Sequence, residues 1–419
     1  MKNTFCINAV LMLLFACVVT TTAQDSRIPG GDYSAPLGSE VRNGKLVFAD
    51  KDGDFLWWFD SRIQIDGAMY FENKNPLSNG TTFRRLTFAV KTILWKDWQA
   101  EVDLDFAEAL LDLRDMYIKY TVPDVNLSFQ VGNFKEPFGM ERLNSSRLLT
   151  FLERSAMSNA FPLGRRIGFA VRYWEDFGQV TVGIFGHEAG TRIDKGTRDE
   201  GFSTNVRISA APINKMGQNL HIGFAGSYKV PDAVADLNPN TIEIKARTET
   251  YVFDPKLLHS GDIKDVNYFL RYGTELMGIY GPFYFQSEFQ GMNIKRWYDK
   301  SDVNFAGGYV TAACVLTGET RYYYVDEGEI GCIEKPKSKW GALELAARYS
   351  VLNLNDKEAG IMGGQSNQLM LGLNYYPNSS IKLQVNYSMV NLDDNATSKG
   401  KFIGNDDFSF MQFRIQASL

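Results

Sequence analysis

The chain has 419 residues, of which 44% are hydrophobic and 22% charged, and this composition excludes a disordered protein. Its 37 Gly, 29 Phe and 20 Tyr favour a β-rich fold with many turns. No apolar run of helical membrane-spanning length follows the N-terminus, which argues against a helical membrane protein. The three His and four Cys show no recognised zinc-ligand spacing, and we expect no metal, no cofactor and no nucleic-acid partner.

Residues 1–23 have the organisation of a secretory signal peptide. Lys2 supplies the positive charge, Ala9 to Val19 form the apolar core, and Thr21 to Ala23 are the small residues before the cleavage site. A lipoprotein signal ending at Cys17 is the weaker alternative, because a bulky residue stands where a small one is usual. The sequence therefore predicts an exported protein.

Export has two consequences for the mature chain. Residues 24–45, rich in Gly, Pro and Ser, are predicted to form a periplasmic linker before the folded part. An oxidising periplasm would also allow Cys314 and Cys332 to form a disulfide. Two unbonded small hydrophobic residues are an equal alternative.

Apolar and polar side chains alternate with a period of two residues through most of the chain. From Phe55 to Phe71 the odd positions are almost all apolar, whereas the even positions include Asp60, Arg62 and Gln64. Such a segment predicts a strand with one apolar and one polar face, as found in soluble sandwiches and in membrane barrels. The pattern recurs at 101–106, 125–131, 381–389 and 411–419.

Three features favour the membrane barrel. Many alternating segments reach about 9 residues or more, the length of a membrane-crossing strand. Aromatic residues crowd the predicted strand ends, where an interfacial girdle would lie. Tight turns and long polar loops also alternate along the chain, as in bacterial outer-membrane barrels. The turns lie near 96–97, 122–124, 175–178, 281–282 and 377–379, and the loops at 134–165, 229–263, 351–366 and 391–407.

The sequence thus predicts an all-β fold, a transmembrane antiparallel β-barrel of about 16 strands over residues 46–419. A barrel of this size is porin-like and leaves an aqueous channel. Segment 317–338 would be an unusually long periplasmic connection, and 229–263 has room for an extra hairpin. The predicted strands begin near residues 55, 84, 98, 113, 125, 166, 179, 203, 219, 266, 283, 305, 339, 367, 380 and 408.

Several short motifs span nearly the whole mature chain. They are Asp52 to Phe55, Arg62 to Asp66, Gly132 to Gly139, Ser145 to Arg147, Thr150 to Arg154, Tyr280 to Phe283, Leu316 to Arg321, Gly341 to Ser350 and Gly372 to Pro377. In sequence and in order these motifs resemble those of the phosphate-selective porin O and P family. The resemblance implies a trimeric, 16-stranded outer-membrane channel for anions, in which basic side chains on inward-folded segments bind phosphate or polyphosphate.

The third long loop, about 134–165, carries the densest part of this resemblance and is predicted to fold into the lumen. Its excess of basic over acidic residues would attract anions within a narrow pore. We expect anion contact from Lys135, Arg142 and Arg147, and loop anchoring from Arg154 with Glu153. The candidate anion-binding residues are Lys135, Arg142, Arg147, Arg154, Arg165 and Arg166, against Glu136, Glu141 and Glu153.

Two further basic pairs lie outside this loop. Arg84 and Arg85 begin a predicted strand and could line the channel mouth. Lys295 and Arg296 are better explained as part of a solvated loop or as a contact with lipopolysaccharide.

No nucleophile elbow, P-loop, dinucleotide fingerprint or zinc-protease motif occurs, so we do not expect an enzyme. The predicted function is that of an outer-membrane porin for passive diffusion of small anions, possible substrates being phosphate and polyphosphate. Its expected partners are outer-membrane lipid, lipopolysaccharide and two further copies of the chain. The alternatives are a general or sugar porin of the same fold and a secreted soluble β-sandwich for binding or adhesion.

Overall fold

The computed structural model describes residues 38–42, 45–189, 198–234, 240–253, 255–333 and 335–418. The predicted signal peptide and residues 24–37 of the predicted linker lie outside this range. The end of the predicted linker is instead a β-hairpin, in which Gly38–Arg42 pairs with Lys45–Ala49. The second strand of this hairpin pairs with Phe55–Phe71, so the hairpin is attached to the main sheet.

Strands dominate the described part of the chain, and their bounds follow in chain order. They are β1 (Gly38–Arg42), β2 (Lys45–Ala49), β3 (Phe55–Phe71), β4 (Gly80–Leu94), β5 (Trp98–Asp105), β6 (Asp112–Thr121), β7 (Leu127–Lys135), β8 (Arg165–Glu175), β9 (Gly178–Phe185), β10 (Arg198–Asp199), β11 (Ser203–Lys215), β12 (Gln218–Lys229), β13 (Ala233–Val234), β14 (Lys245–Ala246), β15 (Leu258–His259), β16 (Val266–Tyr280), β17 (Phe283–Arg296), β18 (Val303–Val315), β19 (Arg321–Tyr324), β20 (Glu329–Ile333), β21 (Ala342–Asp356), β22 (Ile361–Tyr376), β23 (Ile381–Leu392) and β24 (Phe408–Ser418). Short helical turns occur at Ala107–Ala109, Met140–Leu143 and Ala156–Ala160. None of these helices has the length and apolar character needed to traverse a bilayer.

Sixteen of the strands form a closed antiparallel barrel. Neighbours in the chain pair in the order β3 to β9, β11, β12, β16 to β18 and β21 to β24. The sheet closes where β24 pairs with β3, from Ser409 opposite Phe71 to Ser418 opposite Arg62. The predicted strand number is therefore confirmed, and every barrel strand begins within six residues of its predicted start.

The two faces of the barrel differ as the alternation predicts. On β3, Ile63 and Ile65 are 40% and 38% exposed, whereas Gln64 and Asp66 between and beside them are 0% and 2% exposed. Apolar side chains thus cover the outer surface and polar side chains face the enclosed interior, the arrangement of a transmembrane barrel. A soluble sandwich is excluded, because its apolar faces would pack against each other.

The two rims of the barrel differ in the length of their connections. On one rim most connections are short, at 95–97, 122–126, 176–177, 216–217, 281–282 and 377–380, and exposed aromatic residues gather there. Trp95, Phe177, Tyr280 and Trp340 are 61–75% exposed, which suits the girdle at a membrane interface. The predicted long loop 351–366 is reduced to 357–360, because β21 and β22 extend beyond their predicted ends.

A charge on the outer face should destabilise the barrel strongly. Leu371 is 48% exposed and lies opposite Ala347 and Tyr387 on the neighbouring strands. We expect Leu371→Lys to reduce the free energy of unfolding by about 2–4 kcal/mol, measured by denaturant unfolding in lipid vesicles. Ile403→Lys is the control, since Ile403 is 63% exposed in a loop. Equal losses in the two variants would show that the outer face does not contact lipid.

Candidate functional site in the barrel lumen

The segment between β7 and β8, here called L3 (residues 136–164), crosses the lumen. The Glu141 N–H donates to the Glu288 carboxylate on β17 at 2.7 Å. At the other side, Arg84 on β4 donates to both Glu153 oxygens, at 2.7 and 3.0 Å. Because β4 and β17 are the second and eleventh of the sixteen barrel strands, L3 reaches from one side of the wall to the other.

A second extracellular segment packs on L3. It is called L5 and comprises the described residues 240–253 and 255–265. The Glu249 carboxylate of L5 accepts hydrogen bonds from the Ala156 N–H (3.0 Å), the Ser350 hydroxyl (2.6 Å) and Arg348. Burial raises the pKa of Glu249, although Arg348 favours its ionised form. Apolar side chains of L3 such as Met157 join those of L5 and the wall strands in one hydrophobic cluster.

The long connection 317–341 enters the lumen from the opposite rim. It is called the periplasmic hairpin, and its strands β19 and β20 pair with each other. Arg207 on β11 donates to the backbone carbonyls of Glu327 (2.7 Å) and Gly328 (2.8 Å). The Ile330 N–H donates to the Asn144 side chain at 3.2 Å, which ties the hairpin to L3. The segment that fitted least as a periplasmic turn is therefore part of the channel interior.

These three insertions leave an eccentric cavity of about 420 Å³ between L3 and strands β3 to β8. Twelve basic residues line the cavity against six acidic ones, so its walls carry a clear excess of positive charge. The basic residues are Arg62, Arg84, Arg85, Lys91, Arg114, Lys119, Lys135, Arg142, Arg147, Arg154, Arg165 and Arg172. The acidic residues are Asp60, Glu101, Asp103, Asp115, Glu327 and Glu329.

Of the six candidates from the sequence, five line this cavity, and Arg166 is not among its lining residues. Arg166 lies instead 3.6 Å from Glu136 and 3.4 Å from Glu188. Arg147 pairs with Asp60. Arg165 pairs with Asp115 at 2.6 Å.

Arg154 mainly holds the backbone of L3. Its guanidinium donates to the carbonyls of Glu141 and Asn144, both at 2.7 Å. Burial lowers the pKa of Arg154 to about 10, which leaves it cationic at neutral pH. The neighbouring Glu153 is held ionised, because Arg84, Arg85 and Arg414 outweigh its burial and keep its pKa well below the usual value.

Lys135 and Arg142 differ from the other candidates because neither has a carboxylate partner among the described residues. The Lys135 ammonium donates to the carbonyls of Leu143 and Asn144. Arg142 forms no hydrogen bond or ion pair with the described part of the chain. Burial, with the nearby charges of Arg154 and Arg165, lowers its pKa to about 9, and the side chain therefore stays charged at neutral pH. Arg142 is therefore available to a passing anion, and Lys135 lies on the same cavity wall.

Sequence reasoning missed most of the basic residues that the wall strands contribute. Arg62, Arg114 and Arg172 all lie on strands and line the cavity. Arg62 belongs to the polar face of β3, so alternation alone could have placed it inward. Alternation could not show which side of the lumen remains open. Arg84 and Arg85, for which the sequence suggested a place at the channel mouth, both line the cavity.

Cys314 and Cys332 do not form a disulfide in the structure. Cys314 is a free, half-buried cysteine on barrel strand β18. Cys332 is exposed on β20 of the periplasmic hairpin. The disulfide alternative is therefore not found.

Comparisons with known proteins agree with this architecture. The family model described as phosphate-selective porin O and P matches residues 59–418. Porin O of Pseudomonas aeruginosa is 23% identical over 448 residues, covering 97% of this chain and 96% of that protein. An uncharacterized protein of Caulobacter vibrioides is 25% identical over 391 residues, covering 90% of this chain and 76% of the relative.

Solved structures of outer-membrane proteins share the fold. An anion-selective porin from Comamonas acidovorans has a TM-score of 0.54 at 11% identity, covering 87% of this chain and 100% of the porin. The trimer form of OmpT from Vibrio cholerae has a TM-score of 0.53 at 10% identity, covering 87% and 99%. At such identities the likeness concerns the fold alone. Together with the family match over residues 59–418, the closed barrel shows that the chain belongs to the phosphate-selective porin O and P family of outer-membrane channels.

Proposed function

We propose that the protein conducts small anions passively across the outer membrane through the cavity beside L3. The observation that carries this proposal is the twofold excess of basic over acidic residues on the cavity wall. Low-dielectric walls strengthen the field of these charges, so anions concentrate in the cavity and cations are repelled. Several sites in series would let an anion move on without being trapped.

Phosphate is the anion that the cavity suits best. Arginine can hold phosphate through two parallel hydrogen bonds, and lysine adds a point charge. Ser145 and Ser146 also line the cavity, and their hydroxyls can donate to phosphate oxygens. The family description and the relationship to Porin O point to the same ligand class. A homotrimer is the assembly we propose, as in the OmpT trimer form.

Planar-bilayer recordings of the purified protein test this function. In a potassium chloride gradient the reversal potential should have the sign of an anion-selective channel, and added phosphate should reduce the chloride current. A zero or cation-directed reversal potential would contradict anion selectivity and favour a channel for neutral solutes. An anion-directed potential with no effect of phosphate would leave a general anion porin.

A further inference from the structure

The periplasmic hairpin brings two carboxylates into a cavity that is otherwise strongly basic. Among the described residues that line the cavity, Glu327 and Glu329 are the acidic ones that do not come from the wall strands. Glu327 forms an ion pair with Arg172 at 3.4 Å, so the negative charge of Glu327 is balanced by a neighbouring positive charge. The half-buried Glu329 carboxylate forms no hydrogen bond and no ion pair with the residues that the structure describes. One negative charge therefore stands in the anion path without a direct partner.

The hairpin holds this carboxylate at a defined position. Its turn approaches the wall so closely that a Cβ on Gly328 would lie 2.6 Å from the Ser209 hydroxyl and 3.1 Å from Nη1 of Arg207. Gly328 also has a φ of +60°, a conformation that glycine adopts without strain. Together with the Arg207 and Asn144 hydrogen bonds, this close approach fixes the turn immediately before Glu329. The Glu329 carboxylate is therefore held at a fixed place on the cavity wall.

The charges that face Glu329 come from three barrel strands and from its own hairpin. Lys135 on β7, Arg172 on β8 and Arg207 on β11 favour its ionised form. Burial is the largest effect against ionisation of Glu329, and the negative charge of Glu327 is the second largest. Together they raise the pKa of Glu329 to about 7. Above this pH Glu329 is an anion, and below it the group is neutral and can donate a hydrogen bond.

We propose that Glu329 is a specificity-determining residue that disfavours divalent anions relative to monovalent anions. An ionised carboxylate repels a divalent anion twice as strongly as a monovalent anion at the same distance. The surrounding cations attract both kinds of anion, so one uncompensated negative charge shifts the balance toward the monovalent form. The inference rests on the proposed function, since it concerns selection among anions within the same cavity.

The test compares sulfate with chloride in reversal-potential measurements on the intact protein. Sulfate stays divalent over the pH range used, so any pH effect comes from the channel. Between about pH 8 and about pH 5.5 the sulfate-to-chloride permeability ratio of the wild type should rise about threefold, because Glu329 becomes neutral. Glu329→Gln should show the higher ratio at both pH values and no dependence on pH.

Two controls separate this effect from general changes of charge. Glu358→Gln removes one negative charge from the exposed extracellular turn and should leave the ratio and its pH profile at wild-type values. Two other groups can titrate in this range: His221, which hydrogen-bonds Tyr323 of the hairpin at 2.7 Å, and Asp103, which lines the same cavity. If the pH profile persists in Glu329→Gln, the effect comes from another group and the inference fails.

Two further outcomes distinguish failure of this inference from failure of the proposed function. An anion-selective wild type whose sulfate-to-chloride ratio is flat between the two pH values overturns the role of Glu329 and leaves the proposed function intact. A wild type without anion selectivity at either pH overturns the proposed function. The wild-type pH profile needs no variant, so it tests the inference even if Glu329→Gln does not fold.

Discussion

Replacing Lys135 and Arg142 together by glutamine is expected to weaken phosphate binding in the channel about tenfold or more. Neither residue forms an ion pair with a carboxylate among the described residues, and Lys135 acts on Glu329 only through its longer-range charge. Glutamine keeps an N–H donor on the side of the Leu143 and Asn144 carbonyls that Lys135 contacts. The change therefore removes charge while retaining a polar side chain beside L3. The measurement is the phosphate concentration that halves the chloride current.

A matched control removes two positive charges from exposed loops. Lys357 and Lys401 are exposed on extracellular connections away from the cavity. Lys357→Gln with Lys401→Gln should leave the half-blocking phosphate concentration near its wild-type value. If the cavity variant also keeps that value, anions cross without contacting Lys135 or Arg142, and the site assignment is wrong.

The second large effect is expected from Arg348, which joins both extracellular insertions to the wall. Arg348 is 1% exposed and donates to Glu141 (3.1 Å) and the Glu153 carbonyl (3.0 Å) of L3, and to Glu249 of L5. Arg348→Met leaves buried carboxylates without this cation, which costs about 3–5 kcal/mol. We expect a lower temperature for heat-modifiable migration in gels, and larger, noisier single-channel currents as L3 and L5 detach.

The double variant Arg348→Met with Glu249→Gln separates lost packing from an uncompensated charge. Removing both partners of a buried pair costs less than removing one, so the double variant should regain part of the lost stability. Its currents should also be quieter than those of Arg348→Met. A single variant with wild-type thermal stability and wild-type currents would show that this arginine does not hold the insertions.

Local patterning was sufficient to predict the barrel. Each strand has one lipid-facing and one lumen-facing side, so the period of two residues identifies strand positions without knowledge of their neighbours. The pairing of β24 with β3 follows from an even strand count, and the Gly132 to Gly139 motif identified the family. The alternation also assigned Gln64 and Asp66 to the polar face, which the structure shows to be buried.

The arrangement inside the barrel was decided only by tertiary structure. Arg348 and Glu141 are 207 residues apart in the chain, and Ile330 and Asn144 are 186 residues apart. Local alternation contains no information about such pairs, because they depend on the depth to which each insertion enters the lumen. For this reason the sequence groups Arg166 with the cavity residues and predicts only an unusually long periplasmic connection at 317–338. The sequence by itself determined which side chains face inward, whereas the packing of L3, L5 and the hairpin determined which of them reach the cavity.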